Sequence, residues 1–224
     1  RHAGLERHAE AFGALPLLRQ ALRNVAHPAI RNRGTTVGSI AHADPAGEMP
    51  SVLVLTDGVV EAVGPGDRRE IAATDFFLGP LETSLADDEL VEAVRFTRFG
   101  PGTRTAFLES SRRHGDYALA GVAVAVDVAD GVVVSARAGF VSVTPVPLVL
   151  DLTPVLRGRD AGAPVPDEVT DAVREFVDPE GDIHATADYR RMLAAELTRR
   201  ALATATHPTP AADPAPTTAQ ESVA

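Results

Sequence analysis

IRNRGTTVGSIAHADPAGEMP, residues 30–50, is dense in small residues and turn formers, and its charged groups sit at its two ends. Arg31 and Arg33 lead in. Thr35, Thr36, Gly38 and Ser39 then offer hydroxyls and uncrowded backbone N–H groups. Asp44, Pro45, Gly47 and Glu48 follow, just before the apolar run Met49 to Leu55. Such a loop suits an anionic ligand, because exposed N–H groups and hydroxyls can point at phosphate oxygens. It contains neither GxGxxG nor GxxxxGK[ST], so neither a Rossmann nor a P-loop site follows from it. On spacing alone, a phosphate loop and a plain surface turn both stay open.

Around this stretch lies a chain of 224 residues, long enough for one domain or two small ones. Its 45% hydrophobic and 23% charged residues describe an ordinary soluble globular protein. No window approaches the ~18–20 continuous apolar residues of a membrane helix. The N-terminus carries no secretory signal pattern. The net charge of -10 argues against nucleic acid as a partner. The sequence holds no Cys, which removes disulfides, thiolate metal sites, iron–sulfur ligation and a Cys nucleophile. It also holds no Lys, which removes Schiff-base chemistry.

In chain order, Leu5, Phe12, Leu15, Leu18, Leu22 and Val25 mark residues 1–26 as helical, broken into two helices at Gly13 and Pro16. His27-Pro28 ends that run, and the Gly/Thr/Ser loop follows. Glu48 to Thr56 fits a buried helix or a strand equally. Val59 to Val63 and Arg68 to Ala72 read as a hairpin across Gly64-Pro65-Gly66-Asp67. Ala73 to Phe77 reads as a short turn or helix, and Leu90 to Phe96 as a strand. Phe99-Gly100-Pro101-Gly102 is the best internal boundary. Beyond it, Arg104 to Ser110, Ala118 to Val128 and Val132 to Val143 read as an antiparallel meander with one face under helices. Val146 to Leu156, Asp167 to Val177 and Ala185 to Thr204 are the helix candidates. From about His207 the Pro/Ala/Thr-rich tail is expected to be disordered.

Two polar clusters invite a catalytic reading. In Arg112-Arg113-His114-Gly115-Asp116-Tyr117, Gly115 permits a tight turn that aims the Tyr117 ring and hydroxyl at a flat ligand, although a bare turn with solvated arginines explains the same residues. Ser110, Ser111, His114 and Asp116 lack a GxSxG elbow and crowd one segment, so no hydrolase triad is expected. His42 beside Asp44 reads as a structural hydrogen-bonder. Without an HxH or HExxH pair, no metal ligand is expected, and no catalytic side chain is assigned.

Four blocks, IRNRGTTVGSIAHADPAGEMP, DFFLGPLETSLADDELVEAVRF, RRHGDYALAGVAVAV and HATADYRRMLAAELTRRAL, resemble the FAD-binding (medium) subunit of molybdenum hydroxylases. This is the family of aerobic carbon monoxide dehydrogenase and the xanthine dehydrogenase flavin domain. The blocks occur in that family's order and span nearly all of residues 1–205. The resemblance implies an α+β chain. A partial vanillyl-alcohol-oxidase-like FAD-binding subdomain over residues 1–99 would precede a small antiparallel sheet domain packed with helices over 103–205, then a disordered tail over 206–224. It implies FAD as cofactor, with Thr35, Thr36, Val37, Gly38 and Ser39 on the second pyrophosphate loop. Glu48 would lie near the ribityl chain, Leu85 at a main-chain contact, and Asp116 and Tyr117 beside the isoalloxazine. Molybdopterin and iron–sulfur clusters are expected only on partners, a molybdenum-binding large subunit and an iron–sulfur small subunit, in the cytoplasm.

The sequence departs from the family in three ways. The N-terminal subdomain with its Ala-Gly-Gly-x-Ser loop is not among these residues, Val37 replaces the first glycine of a pair, and Glu48 replaces the more usual Asp. A β-branched Val resists positive φ and crowds the backbone N–H groups. With half the clamp gone, several hydrogen bonds worth ~1–3 kcal/mol each are lost, so FAD is expected to bind weakly or not at all. The leading expectation is electron relay from iron–sulfur clusters through FAD to an acceptor. The alternative is a truncated or decayed paralogue without FAD, acting as a structural or assembly module or surviving as a gene fragment.

Overall fold

The computed structural model describes residues 1–207. The chain opens with six short helices: α1 (His2–Leu5), α2 (Ala9–Ala14), α3 (Pro16–Leu22), α4 (Pro28–Arg33), α5 (Thr36–His42) and α6 (Glu48–Leu55). Residues 1–26 therefore form three helices, not two. Pro16 and Pro28 each start a helix, where proline's missing N–H costs nothing. The expected Gly/Thr/Ser loop is mostly the first turn of α5, capped when the Thr35 hydroxyl accepts from the Gly38 N–H at 2.8 Å. The ambiguous segment from Glu48 is helical, and every residue of α6 from Met49 to Leu55 is buried.

β1 (Val59–Val63) and β2 (Arg68–Ala72) form the expected hairpin, and β5 (Leu90–Arg95) pairs with β1 on the other side. Between them lie α7 (Ala73–Phe76), β3 (Phe77–Gly79) and β4 (Glu82–Thr83). The meander is β6 (Thr103–Ser111), β7 (Ala118–Ala129), β8 (Val132–Val141) and β9 (Val149–Asp151), in that order across one antiparallel sheet. The expected helix over residues 146–156 is instead β9 followed by the single turn α8 (Thr153–Leu156), because the segment pairs Leu150 with Ala138. α9 (Asp167–Phe176) and α10 (Ala187–Thr206) close the chain. α10 begins where the Thr186 hydroxyl accepts from the Tyr189 N–H. It runs through Thr206, past the expected domain end at 205, while the tail expected to be disordered lies from residue 208 outside the described residues.

The meander is covered on both faces, not one. β7 alternates Val and Ala because its two faces meet different partners. Val122, Val124 and Val126 pack with α9 and α10 residues such as Val169, Val173, Ala194 and Leu202. Ala123 and Ala125 turn the other way, into a second core with Leu17, Leu53, Leu55 and Phe76. On that second face α6 comes close to the sheet. A Cβ on Gly139 would stand 3.0 Å from Ser51 Oγ and 3.4 Å from Leu55 Cβ, so only glycine fits without displacing the helix.

Ser51 Oγ is buried in this contact and has no hydrogen-bond partner among the described residues. A buried hydroxyl without a partner carries its full desolvation cost. Ser51→Ala is therefore expected to stabilise the chain by on the order of 1 kcal/mol. Gly139→Val is expected to cost roughly 1–3 kcal/mol by overpacking. Urea unfolding midpoints at constant slope test both; a destabilised Ser51→Ala would show that the hydroxyl is satisfied in solution.

Candidate functional site

An open cleft of about 820 Å³ lies among the described residues, within the range of small-molecule sites. One wall is Asp44, Pro45 and Ala46, the turn between α5 and α6, with Pro80 beside it. Gly115 to Leu119 enter from the β6–β7 connection, and Ser142, Thr144 and Pro145 from the end of β8. Asp178 to Asp182, His184 and Arg190 form the outer wall. The Ser142 N–H donates to the Pro45 carbonyl at 2.9 Å, which ties the meander to the α5–α6 turn.

Gly115 has φ +87°, and a Cβ there would collide with the His27 ring at 2.5 Å. The turn requires glycine on both counts, and it carries Asp116 and Tyr117 to the cleft edge. Tyr117 is 72% exposed, so its ring presents a flat face to whatever enters. The Asp44 carboxylate, more than burial, holds the Tyr117 hydroxyl above its usual range, and Glu48 adds to the effect. Glu48 is the first residue of α6. Burial pushes its carboxyl up to about 7, with Asp44 adding and a backbone hydrogen bond opposing.

Glu109, absent from the sequence reading, joins this group. It lies on β6 opposite Gly121, on the α6-facing side that also carries Phe107. Burial pushes its carboxyl up to about 8, helped by Glu48. Its Oε2 is buried without a hydrogen-bond partner among the described residues. An acidic residue two places after Phe107, on the apolar face of a strand, is the signal the sequence offered.

The structure separates the remaining expected residues. Thr35 to Ser39 form the first turn of α5 and do not line the cleft. Seven residues at ~1.5 Å rise place that turn ~10 Å from the cleft end of the helix. Val37 is helical, with no positive φ there or at Gly38, so the backbone strain expected of a β-branched residue does not arise. A Cβ at position 38 would stand 2.8 Å from Thr35 Oγ1, so a larger residue there must shift the capping hydroxyl. Among the described residues the N–H groups of Thr36 and Val37 have no acceptor. Leu85 lies in the β4–β5 connection, half-buried against the core and away from the cleft. Among the described residues no group of three or more His, Asp or Glu is placed to hold a metal ion, and no helix is long and apolar enough to cross a membrane.

Helical subdomain, meander and the cleft between them define a flavin-domain architecture, and comparison with known proteins gives the same class. Residues 1–97 match the model of the FAD binding domain in molybdopterin dehydrogenase. Residues 105–205 match that of the CO dehydrogenase flavoprotein C-terminal domain. The chain belongs to the family of FAD-binding medium subunits of molybdenum hydroxylases. It is 40% identical to the nicotine 6-hydroxylase medium subunit of Paenarthrobacter nicotinovorans, over 84% of this chain and 66% of that one. It is 34% identical to the caffeine dehydrogenase subunit beta of a Pseudomonas species, over 92% of this chain and 70% of that one. Carbon monoxide dehydrogenase from Hydrogenophaga pseudoflava superposes with a TM-score of 0.83 at 32% identity, covering 91% of this chain and 71% of that one. The chain thus spans about two thirds of the length of the relatives it matches.

Glu48 and Glu109 hold their protons more tightly in the folded chain than in the unfolded one. Their contribution to stability is therefore full at low pH and falls as pH rises from the usual 4.5 through about 7 for Glu48 and about 8 for Glu109. Glu109→Gln is expected to gain roughly 2–4 kcal/mol at high pH and nothing in acid. Thermal melts across the pH range check this, and a gain independent of pH would rule out a proton held by Glu109.

Proposed function

We propose that the chain is the FAD-carrying subunit of a molybdenum hydroxylase complex, relaying electrons from iron–sulfur clusters of a small subunit to an acceptor. A molybdenum-binding large subunit would oxidise the substrate. The bound flavin supplies the redox chemistry, and the protein supplies its binding and tuning. Residues 1–99 would form the FAD-binding half and 103–205 the flavoprotein C-terminal half, in a cytoplasmic complex.

The observation that carries this reading is the pairing of the exposed Tyr117 face at the cleft edge with the first turn of α5, ~10 Å along that helix from its cleft end, which offers free N–H groups. A flavin nucleotide has the same layout, a flat ring joined by a short chain to a pyrophosphate. Tyr117 and Asp116 would flank the ring, and Glu48 would hold a proton beside the ribityl chain. Thr35, Thr36, Val37, Gly38 and Ser39 would face the pyrophosphate, through the N–H groups of Thr36 and Val37. Leu85, which stands apart from the cleft, would contribute a main-chain contact. No side chain is assigned as a general acid or base. Relatives whose names specify nicotine, caffeine and carbon monoxide share this subunit type, which supports substrate choice residing on the molybdenum subunit.

Titrating the chain with FAD tests the proposal. The visible flavin bands are expected to co-elute with the folded protein, and Tyr117→Ala is expected to weaken binding about tenfold, on the order of 1–1.5 kcal/mol for an aromatic contact. A folded chain that stays colourless after FAD is added would favour a structural role without cofactor.

A further inference from the structure

The cleft is wider than its inner wall. Beyond Tyr117, the outer wall formed by Asp178 to Arg190 has a distinct composition. Its charges can be counted by pairing. Arg190 donates to Asp182 at 2.6 Å, and Arg191 is shared between Asp188 at 3.1 Å and Asp178 at 3.6 Å. Arg112 lies 3.0 Å from His184 Nδ1, an atom that can take a bond from a guanidinium only through its lone pair. Left over are Asp44, Asp116 and Glu180 against the single charge of Arg112. The cleft is therefore net negative, and the raised Tyr117 hydroxyl reports the same field.

Two buried polar atoms on residues of this cleft also lack partners among the described residues, Arg190 Nε and Ser142 Oγ. Arg190 is only 7% exposed, and its other nitrogens are taken by the Leu119 carbonyl and the Asp182 carboxylate. A buried donor without an acceptor is costly, and a ligand atom that accepts a hydrogen bond at this wall would relieve it. Pro45, Pro145 and Pro179 add flat apolar surface nearby.

We propose that the outer half of the cleft, between Tyr117 and the 178–190 segment, seats the electron acceptor, and that it admits a planar ring bearing a carbonyl or ring-nitrogen acceptor atom and no negative charge. The inference rests on the flavin reading above and assigns its acceptor class. Anionic acceptors, pyridine dinucleotides among them, are repelled by Asp44, Asp116 and Glu180. A neutral ring meets no such penalty, stacks against Tyr117 and the prolines, and supplies the missing acceptor to Ser142 or Arg190.

Equilibrium dialysis of the full chain, with and without FAD, against phenazine carboxamide and phenazine carboxylate tests this, because the two probes share one ring and differ by one charge. The carboxamide is expected to bind about tenfold more tightly, in line with focused fields in charged clefts. The double variant Asp44→Asn, Glu180→Gln is expected to narrow that ratio to about threefold or less, and added salt to narrow it in the wild type. Ser142→Ala is expected to weaken the carboxamide about fivefold, one net hydrogen bond. Equal binding of the two probes, or a ratio unmoved by the double variant, overturns the proposal. Flavin uptake is read separately in the same samples, so a chain that discriminates between the probes yet takes up no FAD counts against the electron-relay function alone.

Discussion

The contact of α6 with the glycine and alanine face of β7 and β8 sets the position of everything at the cleft. α6 is buried from Met49 to Leu55, so it serves two layers at once, the helical subdomain and the meander. The sheet permits this only because Gly139, Ala123 and Ala125 keep that face shallow. Close packing of this kind transmits position rigidly. Asp44, in the turn before α6, and Glu48, its first residue, are thereby held near Tyr117, which arrives from the other half of the chain.

The same contact explains the unusual electrostatics. Glu48 begins a buried helix, and Glu109 points from the sheet into the same layer. Neither meets an Arg. None of the thirteen ion pairs among the described residues includes Glu48 or Glu109; they lie on the β2–β1–β5 sheet, along α9 and α10, on the 178–190 wall of the cleft and at other partly exposed sites. Carboxyls desolvated without a counter-charge keep their protons. The surface carboxyls behave oppositely: Arg69 draws Glu89 down to about 2, and Arg199 with Arg200 draws Glu196 down to about 2. One composition, rich in Arg and Glu, thus yields charged pairs outside and neutral acids behind the cleft.

How far the site was legible in the sequence differs by residue. The tight turn at Gly115 is legible in the sequence, and its φ of +87° is that of such a turn. Thr35 to Ser39 read from sequence as a polar loop, and the structure makes them the start of a helix. Thr35 caps a helix, a role compatible with Thr in either setting, and only the Gly38 hydrogen bond distinguishes the two. Strain at Val37 follows only from a loop with positive φ, and its helical φ leaves nothing to strain. Glu109 escaped notice, since one acid in a strand reads as solvent-facing until the second covered face of the sheet is known.

Local pattern was enough for elements with a strong period or a strong stop: the hairpin around Gly64 to Asp67, the Val/Ala strand β7, the long helix α10 and the ordering of helical and sheet halves. The four sequence blocks were enough for the family. Tertiary structure decided the identity of short apolar runs, such as the helix at Glu48 and the strand at Val149, because periodicity cannot separate them below about two turns. It also decided which residues share the cleft. Asp44 and Tyr117 line it from two segments far apart in sequence, with Glu48 and Glu109 buried behind them, and only the closeness of α6 to the sheet makes these segments neighbours. Charge, proton affinity and access at the site follow from that packing, which no local window contains.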